Sequence, residues 1–549
     1  MKVGYNPDSF GHNGNLPQIL KKSGIDFYLF CRPAKHEKKL PQVFWWEGPD
    51  GSKILACRPP FHYNSTDENL EKKVRNVAKN FYGDLKDVIC MIGFGNHGGG
   101  PTRRSIEIIK KLQKDENLPD IIYSTPYRFF RDILKYKKNF PVVKDELQYH
   151  ARGCYTSYPQ IKKFNRIAEN KVITAESISS FNFILLGEKY NSSEIEDIWR
   201  EILFNQFHDI LAGSSIPEAY FDSLNMLGKA IISSERIINR KLWSLSKMVD
   251  TEKVDGNPVL FFNPTSFERE EIKKVSLFPG HEVPEKAEVL FYDEKGKRVP
   301  SQPVEDVNTS LKNYMVKVKI PPFGYKVYWW RVSEGKRRKS NLKMEENSIE
   351  NQILKIVIDE ESGGIKNLFL KEENWNSFKK TGGEFLVIED PSDAWGHGQE
   401  SFRKVAGKFK CEEIIKGEEG ECMVSVRCKA GYNNSEIFLE YILYDNLPFV
   451  EVKGKINWQE KHKFLKVSFP VNLEKTKIFV EMPYYFIERK PDGKENPCHR
   501  WIDITGKFKG RKFGLSIVNS EWYGYDFDGS ELRMSVLRSP VFGAHRERK

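Results

Sequence analysis

The hydrophobic pattern of this chain changes twice, and these changes constrain its fold more than any other feature. Up to about residue 130, short apolar runs such as Val88–Ile92 alternate with amphipathic stretches such as Arg104–Leu112. This rhythm is typical of βα units around a mostly parallel sheet. From roughly 160 to 250 the apolar spacing is helical, and after Asn257-Pro258 it is that of short strands. Because 549 residues exceed what one hydrophobic core sustains, the sequence predicts a multidomain protein of α/β, α and β regions.

Local signals mark the ends of several elements. Ser193-x-x-Glu196 predicts a capping box that opens a helix ending near Ala212-Gly213, and Pro217 predicts the start of the next helix. Leu354–Ile358 and Ile365–Leu370, joined by a turn rich in Gly and acidic residues, predict an antiparallel hairpin.

The predicted domains follow from these patterns. The β-rich region is longer than one sandwich needs, so we expect a small β domain, a polar linker at Ser333–Asn347 and a large β-sandwich. The boundaries are a partial α/β domain at 1–155, a helical domain at 156–250, a small β domain at 257–335 and the sandwich at 345–549.

Composition argues against several classes of protein. The net charge is +11, but basic residues are interleaved with acids, and the densest run, Lys336–Lys339, lies in the predicted linker, so no nucleic-acid partner is expected. No segment approaches the ~20 apolar residues of a membrane span, and the N-terminus lacks the layout of a signal peptide. The eight cysteines contain no CxxC pair, which favours reduced thiols and a cytoplasmic location.

The segment from Tyr5 to Gly14 is the richest in candidate chemistry. Asp8 and His12 stand four residues apart around a turn set by Pro7 and Gly11, and Phe10 offers a flat apolar face between them. Zinc accepts oxygen and nitrogen ligands, and the apolar face of a sugar stacks on an aromatic ring. A short Asp/His cluster is more often simple loop hydrogen bonding, so the motif alone is weak evidence.

Two further segments offer polar side chains. Gly93–Thr102 lacks the Lys-Ser/Thr of a phosphate-binding loop, and its glycines are better suited to bring the backbone close to a ligand and to aim Asn96 and His97 at it. His208 could coordinate a metal with Asp209 orienting it. The alternative is that His208 is a hydrogen-bonded packing residue, as histidines on amphipathic helices usually are.

Taken in order, these segments resemble glycoside hydrolase family 38, the zinc-dependent α-mannosidases. The resemblance covers nearly the whole chain and rests on these segments: Tyr5–His12, Phe44–Ser52, Gly95–Thr102, Glu146–Ser157, Asn205–Gly213, Asp393-Ala394-Trp395, Glu488-Arg489, Arg500-Trp501 and Leu537–Pro540. It implies an incomplete α/β-barrel catalytic domain, a three-helix middle domain and C-terminal β-sandwich domains.

The resemblance also implies roles for individual residues. Asp8 would be both nucleophile and zinc ligand, and His208 a second zinc ligand. The residues expected to bind substrate are Phe10, Asn96, Arg152, Tyr155, Asp209 and Trp395; an ion pair at the domain junction is an equally good interpretation of Arg152. The implied substrate is a mannose-containing oligosaccharide, cleaved with retention, which needs a second acid ~5 Å from the nucleophile. Self-association is a further expectation.

Two departures from the family pattern matter. Asn96 stands where members often have the Asp that acts as acid/base, so we expect His97 or a carboxylate elsewhere to donate the proton, or protonation to be impaired. The family also uses a His-x-Asp pair upstream of the nucleophile motif, so two of four expected zinc ligands are missing. We therefore expect a chain truncated at both ends that is inactive alone and needs the missing N-terminal part, either as a separate chain or as an upstream extension.

Two other functions stay open at this point. One is a non-catalytic mannoside-binding protein that uses Phe10 and the sandwich. The other is a metal-dependent deacetylase, against which the helical His208 segment and the long β region argue.

Overall fold

A computed structural model describes residues 2–81, 85–95, 99–252, 254–277, 288–305, 312–333 and 340–542. The chain divides into two compact units. The first consists of Met1–Cys154 and Phe479–Arg489, and the second of Tyr155–Ile478 and Lys490–Lys549. The four-domain division and its boundaries stay a prediction.

A five-stranded sheet forms the centre of the first unit. Its strands are β1 (Val3–Asn6), β2 (Phe27–Phe30), β3 (Val43–Glu47), β4 (Lys53–Cys57) and β5 (Val142–Val143), in the order β1-β2-β4-β3-β5. The pairs β1–β2, β2–β4 and β3–β5 are parallel, whereas β3–β4 is antiparallel. Every residue of β2 is buried, which explains its unbroken apolar sequence. The mostly parallel α/β sheet is thus as expected, while closure into a barrel stays a prediction.

In the part of the first unit that the structure describes, four α-helices accompany this sheet. They are α1 (Leu16–Lys22), α2 (Asp67–Ala78), α3 (Arg103–Leu112) and α4 (Pro126–Ile133). The helix predicted at Arg104–Leu112 is confirmed, and it begins at Arg103 because Thr102 caps it by accepting from the Ser105 N–H. Asp67, at the start of α2, accepts from the hydroxyls of both Thr102 and Ser105, which ties the two helix N-termini together.

The strand predicted at Val88–Ile92 is wrong. Residues 85–95 contain no strand, and the five apolar side chains are only half-buried. The Met91 carbonyl accepts a hydrogen bond from the Lys73 ammonium at 2.6 Å instead of from a neighbouring strand. The apolar run suggested a buried strand, but at Met91 a lysine side chain satisfies the carbonyl oxygen that a strand would pair.

The second unit begins with helices. They are α5 (Pro159–Leu186), α6 (Ser192–Asn205), the short α7 (His208–Leu211) and α8 (Pro217–Ser246). The three long helices share a core that includes Val172, Ile198, Ile202 and Leu227. The start at Pro217 is confirmed. The sequence therefore predicts correctly that this region is helical.

The limits predicted for α6 are wrong at both ends. The helix begins at Ser192 with Asn191 at the N-cap, so Ser193 and Glu196 do not form the capping box. It ends at Asn205 rather than near Ala212, and Phe207 is not helical, with φ −52° and ψ 140°. The Asn205 amide donates to the Glu201 carbonyl at 2.7 Å, a local bond of the kind that competes with helix hydrogen bonding. His208 therefore starts a separate turn.

Antiparallel sheets make up the rest of the second unit. Two sheets near its start have the orders β10-β11-β7 and β6-β12-β8-β9, and three later sheets have the orders β13-β14-β15-β16-β17, β19-β18-β24-β31-β30-β27 and β20-β21-β22-β23. The strands that follow the helices along the chain are β6 (Asn257–Asn263), β7 (Arg269–Leu277), β8 (Glu288–Tyr292), β9 (Arg298–Val299), β10 (Ser301–Val304), β11 (Lys312–Ile320), β12 (Gly324–Ser333), β13 (Lys343–Met344), β14 (Ser348–Glu350), β15 (Leu354–Ile358), β16 (Ile365–Leu370), β17 (Trp375–Asn376), β18 (Glu384–Glu389), β19 (Val405–Lys408), β20 (Lys410–Glu419), β21 (Met423–Tyr432), β22 (Ser435–Tyr444), β23 (Val450–Asn457), β24 (Lys463–Pro470), β25 (Glu474–Met482), β26 (Tyr485–Arg489), β27 (Asn496–Pro497), β28 (Trp501–Phe508), β29 (Arg511–Val518), β30 (Gly524–Phe527) and β31 (Glu531–Arg538). Of these, β26 and the end of β25 belong to the first unit.

The predicted hairpin is present as β15 and β16, paired antiparallel from Leu354↔Leu370 onward. Among the described residues, none of the helices combines the length and apolar character that crossing a membrane requires.

Candidate active site

Three polar residues gather at one edge of the first unit's sheet. Asp8 follows β1, Arg32 follows β2 and His62 follows β4, and these strands are parallel neighbours. The carboxyl ends of parallel strands open on the same edge, where α/β proteins bind ligands. Arg32 Nη2 lies 3.1 Å from Asp8 Oδ1, and His62 Nε2 lies 3.8 Å from the same oxygen. Asp8 thus sits in a small cluster that its own motif did not reveal.

The Arg32 guanidinium holds Asp8 by two groups. Its Nη1 donates to the Asp8 carbonyl oxygen at 3.0 Å while Nη2 faces the carboxylate. Both side chains are largely buried, with 17% and 14% of their surfaces exposed. At this burial, the ion pair is screened less by water than a surface pair would be. Arg32 therefore holds both the backbone carbonyl and the carboxylate of Asp8 in position.

The Asp8 carboxylate also changes the titration of its neighbours. Burial, and then a hydrogen bond to Asp8, raise the pKa of Tyr63. Burial, with the nearby Cys31 and Asp8, raises the pKa of Tyr5 to about 12. Burial lowers the pKa of His62 despite the attraction of Asp8. At neutral pH, the two tyrosines are therefore O–H groups and His62 is a neutral imidazole.

One carboxylate oxygen of Asp8 is able to accept a further hydrogen bond. Asp8 Oδ1 is buried and accepts no well-aligned hydrogen bond from the described residues, although Arg32 lies close to it. A buried carboxylate oxygen normally finds a partner, so an unsatisfied one needs a functional explanation. An attacking oxygen or a metal-binding oxygen would leave Asp8 in this condition.

Phe10 lies beside this cluster. The Arg32 guanidinium carbon is 5.5 Å from the centre of the Phe10 ring, and the His150 ring is 5.8 Å away on a tilted plane. His150 Nδ1 lies 2.7 Å from Glu37 Oε1, which orients the imidazole. Asp8 and Phe10 are thus brought together, with Arg32 between them.

His12, the imidazole of the same motif, faces the interior. It is 3% exposed, and its Nε2 lies 2.9 Å from the Arg32 carbonyl oxygen. A carbonyl only accepts, so we assign the proton to Nε2, and Nδ1 then accepts from the Tyr28 hydroxyl at 2.8 Å. The Ser9 hydroxyl also lies 2.9 Å from Nε2. His12 therefore supports the Asp8 turn and Arg32 from below and is not placed to bind a metal.

Lys73 joins two loops behind the site. Its ammonium donates to the carbonyl oxygens of His62, Asn64 and Met91 at 2.6, 2.9 and 2.6 Å. A Cβ on Gly95 would stand 2.5 Å from Asn64 Cβ and 2.8 Å from a Tyr63 ring carbon. The start of the glycine-rich segment thus packs closely on the loop that carries His62 and Tyr63.

Arg152 lies in the first unit, and its guanidinium carbon is 4.4 Å from the centre of the Tyr149 ring. The Tyr149 hydroxyl donates to Glu146, which forms a buried two-point ion pair with Arg489 at 2.8 and 2.9 Å. Neither a substrate contact nor a junction ion pair of Arg152 is tested by these contacts.

The other predicted residues lie in the second unit. His208 Nε2 is 3.6 Å from Asp209 Oδ2, and the Ser214 hydroxyl donates to Asp209 Oδ1 at 3.0 Å. The Tyr155 side chain is buried. Trp395 stacks on His397 with 5.3 Å between ring centres, and Asp393 accepts the Trp395 N–H. The substrate and metal roles of these four residues stay predictions. Asn96 and His97 lie outside the described residues, and their roles stay predictions too.

The described residues do not complete a metal site. Among them, no three His, Cys, Asp or Glu side chains are grouped so that they could hold an ion. Asp8 and His62 supply two donors, whereas a catalytic zinc usually has three protein ligands, and the Arg32 charge on Asp8 opposes a cation. The described residues therefore supply part of a ligand set for zinc but do not complete it.

Three family models match this chain along its length. They describe the glycosyl hydrolases family 38 N-terminal domain at residues 1–147, the alpha mannosidase middle domain at 148–245 and the glycosyl hydrolases family 38 C-terminal domain at 349–546. The chain belongs to glycoside hydrolase family 38.

Several proteins named as alpha-mannosidases are similar to this chain. The chain is 28% identical to alpha-mannosidase G of Dictyostelium discoideum and 25% identical to human alpha-mannosidase 2C1, with 97% of this chain covered in each case. These alignments cover 52% and 50% of the relatives, so the chain spans about half the length of the curated relatives it matches. The crystal structure of an alpha-mannosidase from Enterococcus faecalis V583 shares its fold, with a TM-score of 0.82 over 99% of this chain and 72% of that chain, at 16% identity.

Proposed function

We propose that this chain carries the nucleophile of an α-mannosidase that cleaves terminal α-mannosides with retention. The observation that carries the proposal is the buried Asp8 Oδ1, which accepts no well-aligned hydrogen bond from the described residues although Arg32 Nη2 lies 3.1 Å from it. Tyr63 donates a hydrogen bond to the same carboxylate. The names of the family 38 relatives support the substrate class. The same names disfavour a non-catalytic binding protein.

In this proposal, Asp8 Oδ1 attacks the anomeric carbon of the mannoside. Arg32 holds Asp8 in position, because its guanidinium contacts both the carboxylate and the carbonyl oxygen of the same residue. Tyr63 steadies the carboxylate by a hydrogen bond and is itself kept protonated by its raised pKa. Phe10 offers the flat apolar surface on which the sugar ring stacks.

A second group must protonate the leaving oxygen. His62 is poorly suited, because burial lowers its pKa and so reduces the protonated fraction that a general acid needs. We therefore keep His97, or a carboxylate elsewhere, as the proposed acid, with Asn96 as a substrate contact. Arg152, Tyr155, Asp209 and Trp395 are proposed to contact the mannose-containing oligosaccharide.

Zinc dependence stays part of the proposal. Family 38 is generally metal-dependent, and Asp8 and His208 are the proposed ligands from this chain. Zinc would supply Lewis-acid chemistry and bind sugar hydroxyls. Because the described residues supply too few donors, no step above is assigned to the metal.

The test is hydrolysis of an aryl α-mannoside by the chain supplied with zinc and an upstream His-x-Asp segment, and by its Asp8→Asn variant under the same conditions. We expect Asp8→Asn to lose about 10⁴-fold in kcat, the scale seen when a nucleophile is removed. Asp120→Asn, an exposed carboxylate of the same unit, is the matched control and should keep full activity. Equal and measurable turnover by the complemented wild type and Asp8→Asn would reject the assignment.

The assay also tests the expectation that the chain is inactive alone. It is run across a zinc titration, with and without a supplied upstream His-x-Asp segment. Turnover of ~1 s⁻¹ or more by the chain with zinc alone would reject that expectation. Saturable binding of the mannoside without any turnover in either arm would favour the binding protein instead. Self-association, a separate N-terminal fragment and a cytoplasmic location stay predictions.

A further inference from the structure

Two thiols meet in the β-rich part of the second unit. Cys411 and Cys428 lie on the neighbouring strands β20 and β21, and their Sγ atoms are 3.5 Å apart. A disulfide bond is about 2.05 Å long, so a side-chain movement of about 1.5 Å would bring the sulfurs to bonding distance. We propose that Cys411 and Cys428 form a reversible dithiol–disulfide site that reacts with small disulfide oxidants such as oxidised glutathione.

The strand geometry brings the two side chains to one face. Cys411 is paired with Ala430, and Cys428 with Ile414, so the two cysteines are diagonal neighbours. The register shifts between Cys411 and Glu413. Such an irregularity bends a strand and redirects its side chains. Both cysteines belong to the same hydrophobic cluster, with Cys428 inside it and Cys411 against its border.

Cys428 is held against Cys411 from the inner side. It is 3% exposed, and a Cβ placed on Gly363 would collide with its sulfur. The Tyr441 hydroxyl donates to the Gly363 carbonyl at 2.7 Å, which fixes that backbone. The Cys428 sulfur therefore has little room to turn away from its partner.

Access differs between the two thiols. Cys411 is half-buried and lies on β20, the edge strand of the sheet β20-β21-β22-β23. Burial raises the pKa of Cys428 and makes its thiolate scarce. A small oxidant therefore meets Cys411 first, and Cys428 is placed to react second.

The chemistry balances with one equivalent of oxidant. The Cys411 thiol loses its proton and attacks one sulfur of the oxidant R–S–S–R, whose sulfur–sulfur bond breaks and releases RS⁻. Cys428 then loses its proton and attacks the Cys411 sulfur, which releases the second RS⁻. The two cysteines lose two electrons in total, the oxidant gains them, and the released protons convert both RS⁻ ions to RSH.

The bond would fasten an irregular edge. β20 shifts register twice against β21, between Cys411 and Glu413 and between Lys416 and Glu419. Each shift interrupts the hydrogen-bond ladder. A cross-link at Cys411 would hold the first part of this edge to β21, so we expect slower amide exchange at Lys410–Cys411 after oxidation.

The test treats the folded, reduced chain with oxidised glutathione, alkylates the remaining thiols and maps peptides without reduction. We expect a Cys411–Cys428 cross-link in wild type. In Cys428→Ala, a stable glutathione adduct should stay on Cys411, and in Cys411→Ala, Cys428 should stay unmodified. Cys31 and Cys90, which are half-buried too, serve as the internal comparison.

The wild-type map alone decides the proposal, so it does not depend on whether the variants fold. A stable glutathione adduct on Cys411 in wild type would overturn it, because Cys428 would then have failed to attack. Free thiols at both positions while Cys31 and Cys90 react would overturn it as well. Neither outcome bears on mannoside hydrolysis, so this proposal and the proposed function fail separately.

Discussion

The buried His12 predicts a specific loss of stability in mild acid. Burial lowers the pKa of His12 from 6.5 to about 4, against a smaller opposing effect of its hydrogen bond to the Arg32 carbonyl. Between these values the unfolded chain binds a proton and the folded chain does not. The contribution of His12 to the free energy of unfolding is therefore fully present above pH 6.5 and is lost as the pH falls toward 4. Linkage gives a loss of about 2 kcal/mol at pH 5, and about 3 kcal/mol once the pH is below 4.

The hydrogen bonds explain why the folded site resists protonation. Nδ1 of His12 accepts from the Tyr28 hydroxyl, and Tyr28 in turn takes a hydrogen bond from Asn6. An imidazolium would present a second donor to the Tyr28 O–H. The hydrogen of the Tyr28 hydroxyl would then have to turn away from His12 inside a closed core, where an unsatisfied O–H is costly.

Hydrogen–deuterium exchange measures this effect locally. Peptides covering β2 and the Asp8 turn are followed from pH 8 to pH 5, with intrinsic exchange rates corrected. The opening free energy of wild type should fall by about 2 kcal/mol more than that of His12→Gln, whose amide does not titrate. His36→Gln, at an exposed position, should keep the wild-type slope. Equal slopes in wild type and His12→Gln would refute the reasoning.

Three further predictions follow from the same contacts. Gly95→Ala should lower kcat/KM about 10²-fold, because the new Cβ displaces Tyr63 and Asn64, whereas Gly100→Ala, which meets nothing within 4 Å, should leave kinetics unchanged. Glu146→Ala should destabilise the first unit by about 3–5 kcal/mol in denaturant unfolding, since it strips the carboxylate from the buried Arg489, and Asp145→Ala should cost far less. His208→Ala should lower zinc content and activity together with an unchanged helical circular-dichroism signal; a lower melting temperature at unchanged zinc would identify a packing residue.

Local signals in the sequence were enough for some of the fold. Pro17 and Pro217 stand in the first turns of helices, where proline needs no donor, and the start at Pro217 was predicted for that reason. The hairpin of β15 and β16 follows from a turn between two apolar runs. The end of α6 could not be predicted in this way, because the side-chain bond from Asn205 to Glu201 that accompanies it becomes visible only in the structure.

Arg32 and His62 were missed for a different reason. They approach Asp8 only because β1, β2 and β4 lie side by side, and strand order is not written in the spacing of residues. A usable signal exists: each follows a buried strand, and polar residues just after parallel strands share one edge of the sheet. With Asp8 as the anchor, that rule would have nominated Arg32, two residues beyond β2.

The Asp8 motif shows where spacing alone misleads. Asp8 and His12 stand four residues apart and suggest a carboxylate and an imidazole acting on one ligand. In the structure the turn separates them: Asp8 reaches the edge of the sheet, while Ser9 and His12 are buried beneath it. An irregular turn has no fixed period, so spacing cannot assign its side chains to a face. The ring nitrogens of His12 contact the Arg32 carbonyl and Tyr28, and the conformation of the turn thereby depends on the residue that binds Asp8. The motif is thus half site and half support, and its two halves call for different experiments, kinetics for Asp8 and local stability for His12.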